Sequence, residues 1–317
     1  MRFSRLAVLV AILATSLALF ATSKAEAQGQ RGGAPDVERA CPTVREFAEF
    51  HRCAQDKIAA FEPPRTPDGK PNFNGIWQPT RFAQDIEQIL RGQYRGGVSD
   101  PPVVSNHSII VDPVDGRIPY QAWAATIRTA NEKDFISPTA ACIPVGVQRW
   151  SYSPVSVTGQ RIVQRTNEIV TSMERLHTYR IIPIGGGPRR LASNVKMWRG
   201  ESRARWEGNT LVIETTNNTD KVWFDHIGTF VSPDITLTER LSYVDANTLH
   251  YQETINDPRV FTQPWTIALA FLRSTIEGMD RMDLEDTTVE FCDSEIAHFF
   301  NVGQKLYRGF AAAAEPK

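Results

Sequence analysis

From Tyr152 onward the chain repeats one pattern, a short run of alternating polarity closed by a tight turn signal. Gln160 to Arg165 and Glu168 to Arg175 flank Thr166-Asn167. His177 to Ile184 runs into Gly185-Gly186-Gly187-Pro188, and Ser202 to Trp206 and Leu211 to Thr216 flank Gly208-Asn209. Thr236 to Tyr243 and Leu249 to Ile255 flank Asp245-Ala246-Asn247, and Trp265 to Arg273 and Thr287 to Cys292 complete the series. Period-two alternation punctuated this often specifies successive antiparallel hairpins. A sheet of that length leaves fewest unpaired edges when it closes or folds on itself. The expected class is therefore mainly β, an antiparallel barrel or strongly curved sheet with short N-terminal helices.

Two hairpins can be registered by counting outward from their turns. With Gly208-Asn209 as a two-residue turn, Glu207 faces Thr210, Trp206 faces Leu211, Ala204 faces Ile213 and Ser202 faces Thr215. One face is then mostly apolar, and Arg203 falls opposite Glu214 on the other. A three-residue loop, Asp245-Ala246-Asn247 with Asn247 left-handed, sets Tyr243 against Leu249, Leu241 against Tyr251 and Leu237 against Ile255. Glu239 then falls opposite Glu253 in the apolar stripe, while Thr238, Arg240, Ser242, His250, Gln252 and Thr254 occupy the face expected to be wet.

Opposed glutamates with Cβ atoms ~5 Å apart cannot both ionise cheaply in a low-dielectric interior. They are the first catalytic candidates, as a general acid and base. The competing reading is a structural ion network completed by Arg161, Arg175 or Arg180. His177 alternates with Met173, Tyr179 and Ile181, which places it toward the same side, as an acid/base or as a satisfied core histidine. His226, in the aromatic loop Trp223-Phe224-Asp225-His226, is the fourth catalytic candidate, against a packed loop plug. The side chains expected to line a ligand pocket are Trp223, Phe224, Tyr251, Trp265 and Tyr179.

The N-terminal part has another texture. Arg2 and Arg5 precede the apolar run Leu6 to Phe20, and Ala25-Glu26-Ala27 offers a small-x-small cleavage site, so residues 1–27 read as a secretory signal peptide. The apolar run, about 15 residues, is short of the ~20 that a membrane span needs. Residues 28–71 form a polar lead-in and a short helix within Thr43 to Phe61. Residues 72–317 form one β-barrel-like domain with a helical and loop insertion around 81–150, including helices at Gln84 to Gly92 and Gln121 to Glu132. Removing Arg2, Arg5, Lys24 and Glu26 takes the formal charge from −1 to −3. That balance, without a basic stripe, argues against nucleic acid as a partner. No later apolar run reaches membrane-span length, so the mature chain is expected in the periplasm or secreted.

Cys41, Cys53, Cys142 and Cys292 allow two disulfides in three pairings. Cys41–Cys53 with Cys142–Cys292 is favoured. A continuous helix from Cys41 to Cys53 would span ~18 Å, whereas a disulfide needs Cα atoms within ~7 Å, so the chain must turn between them. No C-x-x-C, H-E-x-x-H, P-loop or G-x-S-x-G pattern is present, and the acidic tract from Glu277 to Asp286 lacks the spacing of a calcium loop. No metal or cofactor is expected on these grounds.

Gly75-Ile76-Trp77, after a short helical lead, resembles the opening of lipocalin-like (calycin) barrels. That resemblance implies a tryptophan closing the barrel floor and a late arginine, here Arg273, packing over it. A broader resemblance covers most of the mature chain. Arg65 to Pro71 with Gly75 to Trp77, Val111-Asp112-Pro113 with Asp115 to Tyr120, His177 to Pro183, Arg205 to Leu211, and Asp257-Pro258 to Pro264-Trp265 are similar to an uncharacterised family of exported bacterial β-rich proteins. Cys142 and Cys292 match positions where that family carries cysteines. The resemblance implies export and β architecture, and no catalytic residues. The expectation is an exported lipocalin-like barrel that binds a small lipophilic or aromatic molecule. Its alternative is a metal-independent barrel enzyme performing proton transfer, as an isomerase, hydratase or lyase.

Overall fold

The computed structural model describes residues 39–42, 47–80, 85–87, 89–90, 103–104, 108–139, 141, 143–150, 160–173, 178–185, 187, 189–274 and 304–310. The expected signal peptide, His177, Arg175, Cys142, Cys292 and the acidic tract lie outside them, and with them the Cys142–Cys292 pairing.

Two α-helices are present among the described residues, α1 (Phe47–Ile58) and α2 (Ala122–Asp134). The strands are β1 (Gly75–Pro79), β2 (Ile89–Leu90), β3 (Val103–Val104), β4 (Ile110–Asp112), β5 (Phe135–Ile136), β6 (Gln160–Gln164), β7 (Glu168–Met173) and β8 (Thr178–Pro183). They continue with β9 (Glu201–Glu207), β10 (Thr210–Thr216), β11 (Thr236–Asp245), β12 (Thr248–Asn256), β13 (Trp265–Arg273) and β14 (Lys305–Leu306). Nine of these pair in the order β8-β7-β6-β1-β13-β12-β11-β10-β9, every neighbouring pair antiparallel. The two ends of that path meet through a parallel bridge, Ile184 to Ala204, where the Gly185 amide donates to the Ala204 carbonyl at 3.0 Å. The sheet is a nearly closed antiparallel barrel, the arrangement expected for a long run of hairpins without exposed edges. β4 extends the wall by pairing with β13 beyond the reach of β1.

Both hand-counted registers are observed. Glu207↔Thr210, Trp206↔Leu211, Ala204↔Ile213 and Ser202↔Thr215 pair across β9 and β10, and Gly208 has the positive φ its turn requires. Arg203 does sit opposite Glu214, but the ion pair forms one step along: Arg205 holds Glu214 at 2.6 Å, while Arg203 turns to Glu201 at 3.1 Å. In the second hairpin Glu239↔Glu253, Leu241↔Tyr251 and Tyr243↔Leu249 pair as counted. The connection differs. It is a two-residue turn, Ala246-Asn247, offset by a bulge between Tyr243 and Asp245. Among described non-glycine residues only Asn217 has positive φ. Asn247 is held instead by its own amide donating to the Asp245 carboxylate at 2.9 Å.

Trp77 on β1 is fully buried. Its indole donates to the Phe73 carbonyl at 2.9 Å, and the Arg273 guanidinium carbon lies 4.2 Å from the ring centroid. Arg273 also donates to the Asn74 carbonyl at 3.1 Å and the Tyr243 hydroxyl at 2.9 Å. Gly75 explains how the cation gets there. Its φ is +134°, and a Cβ at that position would stand 2.8 Å from an Arg273 nitrogen.

α1 packs on the outer wall over Val244 and Ala270 through Phe50 and Ala54, tied down by a Cys41–Cys53 disulfide with Cα atoms 5.9 Å apart. Cys41 lies before the helix, so the chain turns between the two cysteines as the distance argument required. The helix expected over Gln84 to Gly92 is not found among the described residues of that segment. Ile89–Leu90 pairs with Val103–Val104 as a two-stranded ribbon, β-branched residues outweighing the weak helical pattern.

Candidate functional site

The inward stripe of the barrel combines apolar rows with one polar row. Leu211, Leu241, Tyr251 and Leu269 form one cross-strand row, and Thr215, Leu237, Ile255 and Trp265 another. Between them run Ile213, Glu239, Glu253 and Ile267. The period-two alternation places both glutamates with the leucines and isoleucines. Both are buried, Glu239 at 2% relative exposure and Glu253 at 0%.

The two carboxyls have different surroundings. Arg180, on β8 and 5% exposed, grips Glu239 with both terminal nitrogens, Nη2 to Oε2 at 2.6 Å and Nη1 to Oε1 at 3.0 Å. The Tyr251 hydroxyl donates to Glu239 Oε1 at 3.1 Å. Arg180 Nη2 also reaches Ser202 Oγ at 3.0 Å and Thr215 Oγ1 at 3.4 Å, and those hydroxyls bond each other at 2.9 Å. Burial opposes the guanidinium charge, but Glu239 outweighs it and the Arg180 pKa is raised. This is the forked, charge-assisted geometry in which a buried ion pair holds.

Glu253 receives no such support. Neither carboxyl oxygen makes a hydrogen bond of sound geometry among the described residues; the nearest support is the Tyr251 hydroxyl, which is directed at Glu239. Burial pushes its pKa well above the carboxylate range and the neighbouring Glu239 pushes it further. Arg180 and Tyr251 ease the ionised form only partly. Burial and the facing Glu239 carboxyl both favour the protonated form of Glu253, which stands opposite the Arg180–Glu239 ion pair. The ion-network reading therefore holds for Glu239 and Arg180, and leaves Glu253 out.

The other predicted site residues are distributed as follows. Tyr251 and Trp265 are fully buried on the inward stripe. Trp223 and Phe224 are buried in a loop, with Phe224 5.1 Å from Trp265 and Trp223 5.1 Å from Tyr307 between ring centroids. Tyr179 is a correction: it faces outward, 63% exposed, and lines no interior pocket. The inward residues of β8 are Thr178, Arg180 and Ile182, the opposite parity to that expected from Met173. Alternation is not carried through the connection between β7 and β8. His226 makes its described bond, Nδ1 to Ser137 Oγ at 3.0 Å, within the loop region. Asp225 braces that loop by accepting from the Ile227 and Thr229 amides at 3.0 and 3.1 Å and from Thr229 Oγ1 at 2.7 Å.

One buried cluster was not expected. His250, assigned to a wet face, is 2% exposed because α1 covers it, and its Nε2 lies 2.9 Å from Nδ1 of His51 on that helix. Burial, then the neighbouring ring, lowers the His250 pKa to about 3. His51 is lowered as well by burial, partly opposed by Asp112. The only sequence signal was a helical segment with cysteines bracketing its start. No group of three or more metal-ligating side chains occurs among the described residues.

No family model matches the chain, and comparisons with curated proteins and with solved structures return no significant match.

Proposed function

We propose that this is an exported barrel that binds a small lipophilic or aromatic molecule in its interior. Glu253 carries the reading. A fully buried carboxyl without a hydrogen bond of sound geometry costs up to roughly 1–3 kcal/mol, and such groups call for an explanation. A ligand bound among the inward rows supplies both the missing partner and a reason for the aromatic side chains around it. The Gly75, Trp77 and Arg273 cluster supports the calycin-like part of the reading. The Cys41–Cys53 disulfide is consistent with export, and no described helix is long and apolar enough to cross a membrane. The test is denaturing extraction of protein purified from its native compartment, followed by untargeted mass spectrometry. A stoichiometric small lipophile supports the proposal, and protein that neither carries nor takes up any such molecule sinks it.

A second reading is favoured by the asymmetry of the carboxyls. A neutral Glu253 beside the Glu239 carboxylate is the arrangement of a general acid and its conjugate acceptor. On that reading the barrel catalyses proton transfer on its ligand. Solvent deuterium entering a bound ligand in the wild type but not in Glu253→Gln supports it, and equal exchange in both removes Glu253 from the chemistry.

A further inference from the structure

Five inward-facing positions carry buried polar atoms without a hydrogen bond of sound geometry among the described residues: Glu253 through both oxygens, Arg180 through Nε, Trp265 through Nε1, and Thr171 and Thr178 through their hydroxyls. Thr171 sits directly across the β7–β8 ladder from Arg180, and Thr178 is the next inward residue along β8. All five side chains are more than nine-tenths buried. Their chemistry is lopsided. An arginine Nε–H and an indole N–H can only donate, a neutral carboxyl must place its proton, and each threonine hydroxyl can give one hydrogen bond as well as accept. The acceptors are already used. Glu239 takes Arg180 on both oxygens and Tyr251 on one, while Ser202 and Thr215 satisfy each other and Arg180. The interior therefore holds five unpartnered groups that can all donate, two of which cannot accept.

From these groups we infer that the barrel selects an uncharged ligand bearing a carbonyl oxygen, as a ketone, ester or lactone, and that Glu253 is the residue that reads it. The inference rests on the ligand-binding proposal above and adds the chemical class. Charge balance points the same way. Arg180 and Glu239 already neutralise each other, so an anionic ligand adds an uncompensated buried charge. A cationic ligand faces Arg180 and has to strip the proton from Glu253. Each route carries a desolvation cost that a neutral carbonyl avoids. A pure hydrocarbon fits the apolar rows but leaves the donors unpaired. With a carbonyl, the Glu253 hydroxyl donates to an oxygen that accepts, and no proton changes hands.

Four probes of nearly one shape separate these cases: acetophenone, ethylbenzene, 1-phenylethylamine and phenylacetate, titrated calorimetrically into the delipidated full chain. Acetophenone is expected to bind at least tenfold tighter than the other three. Glu253→Gln, which keeps an N–H donor, should retain that preference. Glu253→Leu should bring acetophenone to within about threefold of ethylbenzene while ethylbenzene still binds. Ethylbenzene, the amine or the acid matching acetophenone in the wild type overturns the carbonyl inference and leaves ligand binding intact. An unchanged preference in Glu253→Leu removes Glu253 as the reader. Failure of all four probes overturns this inference together with the binding proposal beneath it.

Discussion

Glu253 stands directly across the β11–β12 ladder from Glu239, yet only Glu239 is held by a cation. The two positions should therefore respond oppositely to the loss of a carboxyl. Glu239→Gln leaves the Arg180 charge uncompensated in the barrel interior and is expected to cost about 3–5 kcal/mol of stability. Glu253→Leu removes an unpartnered acid and fills the same stripe with an apolar side chain, so its effect should lie within about 1 kcal/mol of zero or be stabilising. Denaturant midpoints of the two variants at neutral pH decide the matter. Equal losses at both positions would mean that Glu253 has a partner as strong as that of Glu239.

Gly75 and Arg273 form the second testable relationship. Gly75→Ala imposes a left-handed strain and pushes a methyl group to 2.8 Å from the arginine that covers Trp77. A loss of about 1–3 kcal/mol is expected, with a change in tryptophan emission as the cation leaves the ring. Arg273→Lys with Gly75 retained should give a similar loss, since an ammonium lacks the planar face that stacks on the indole and the fork that bridges Asn74 and Tyr243. Normal melting of Gly75→Ala would show that the cluster tolerates a displaced arginine.

How far these relationships could be read in advance depended on sequence distance. Glu239 and Glu253 are joined by one turn, and a turn fixes every pair above it. Their pairing survived even though the turn is built with a bulge at Val244 where a left-handed Asn247 had been expected. Arg180 reaches Glu239 from a strand that is far away in sequence and becomes a neighbour only when the barrel closes. No local pattern encodes that. Tyr179 failed for a related reason: alternation counts within a strand, and the connection between β7 and β8 changes which parity faces inward. His250 looked wet because the helix that buries it comes from the other end of the chain. Local geometry and the closing of the sheet are legible in the sequence; which side chains meet when it closes, such as Arg180 with Glu239, is not.

The disulfide offers a third prediction. It ties a short loop to α1, a helix that docks on the barrel through Phe50, Ala54 and His51. A loop of this size contributes about 3 kcal/mol through the unfolded state. Replacing Cys41 and Cys53 together by serine should lower overall stability by up to that amount. Hydrogen exchange should quicken first in α1, while the β11–β13 amides keep their protection. Uniform loss of protection across the barrel would show that α1 and the wall unfold as one unit.

The most acid-sensitive joint should be the same helix docking. The His250 pKa is lowered to about 3 and that of His51 is lowered too, so the folded state binds fewer protons than the unfolded chain, where histidine titrates near 6.5. Stability from this pair is fully present above about pH 6.5 and is lost as the pH falls toward the folded values. The Asp112 carboxylate beside His51 softens the loss without reversing it. Glu253 works in the opposite sense. Its raised pKa gives a contribution that is complete below its unfolded value of 4.5 and fades as the pH rises. The two trends overlap between pH 4.5 and 6.5, so the wild-type profile alone cannot separate them. The difference profile can. At about 1.4 kcal/mol per unit of pKa difference, wild type should lose a few kcal/mol more than His250→Gln between pH 7 and pH 4, measured by urea unfolding. Parallel profiles for the two proteins would mean that the buried ring at position 250 does not govern how the helix lets go of the barrel.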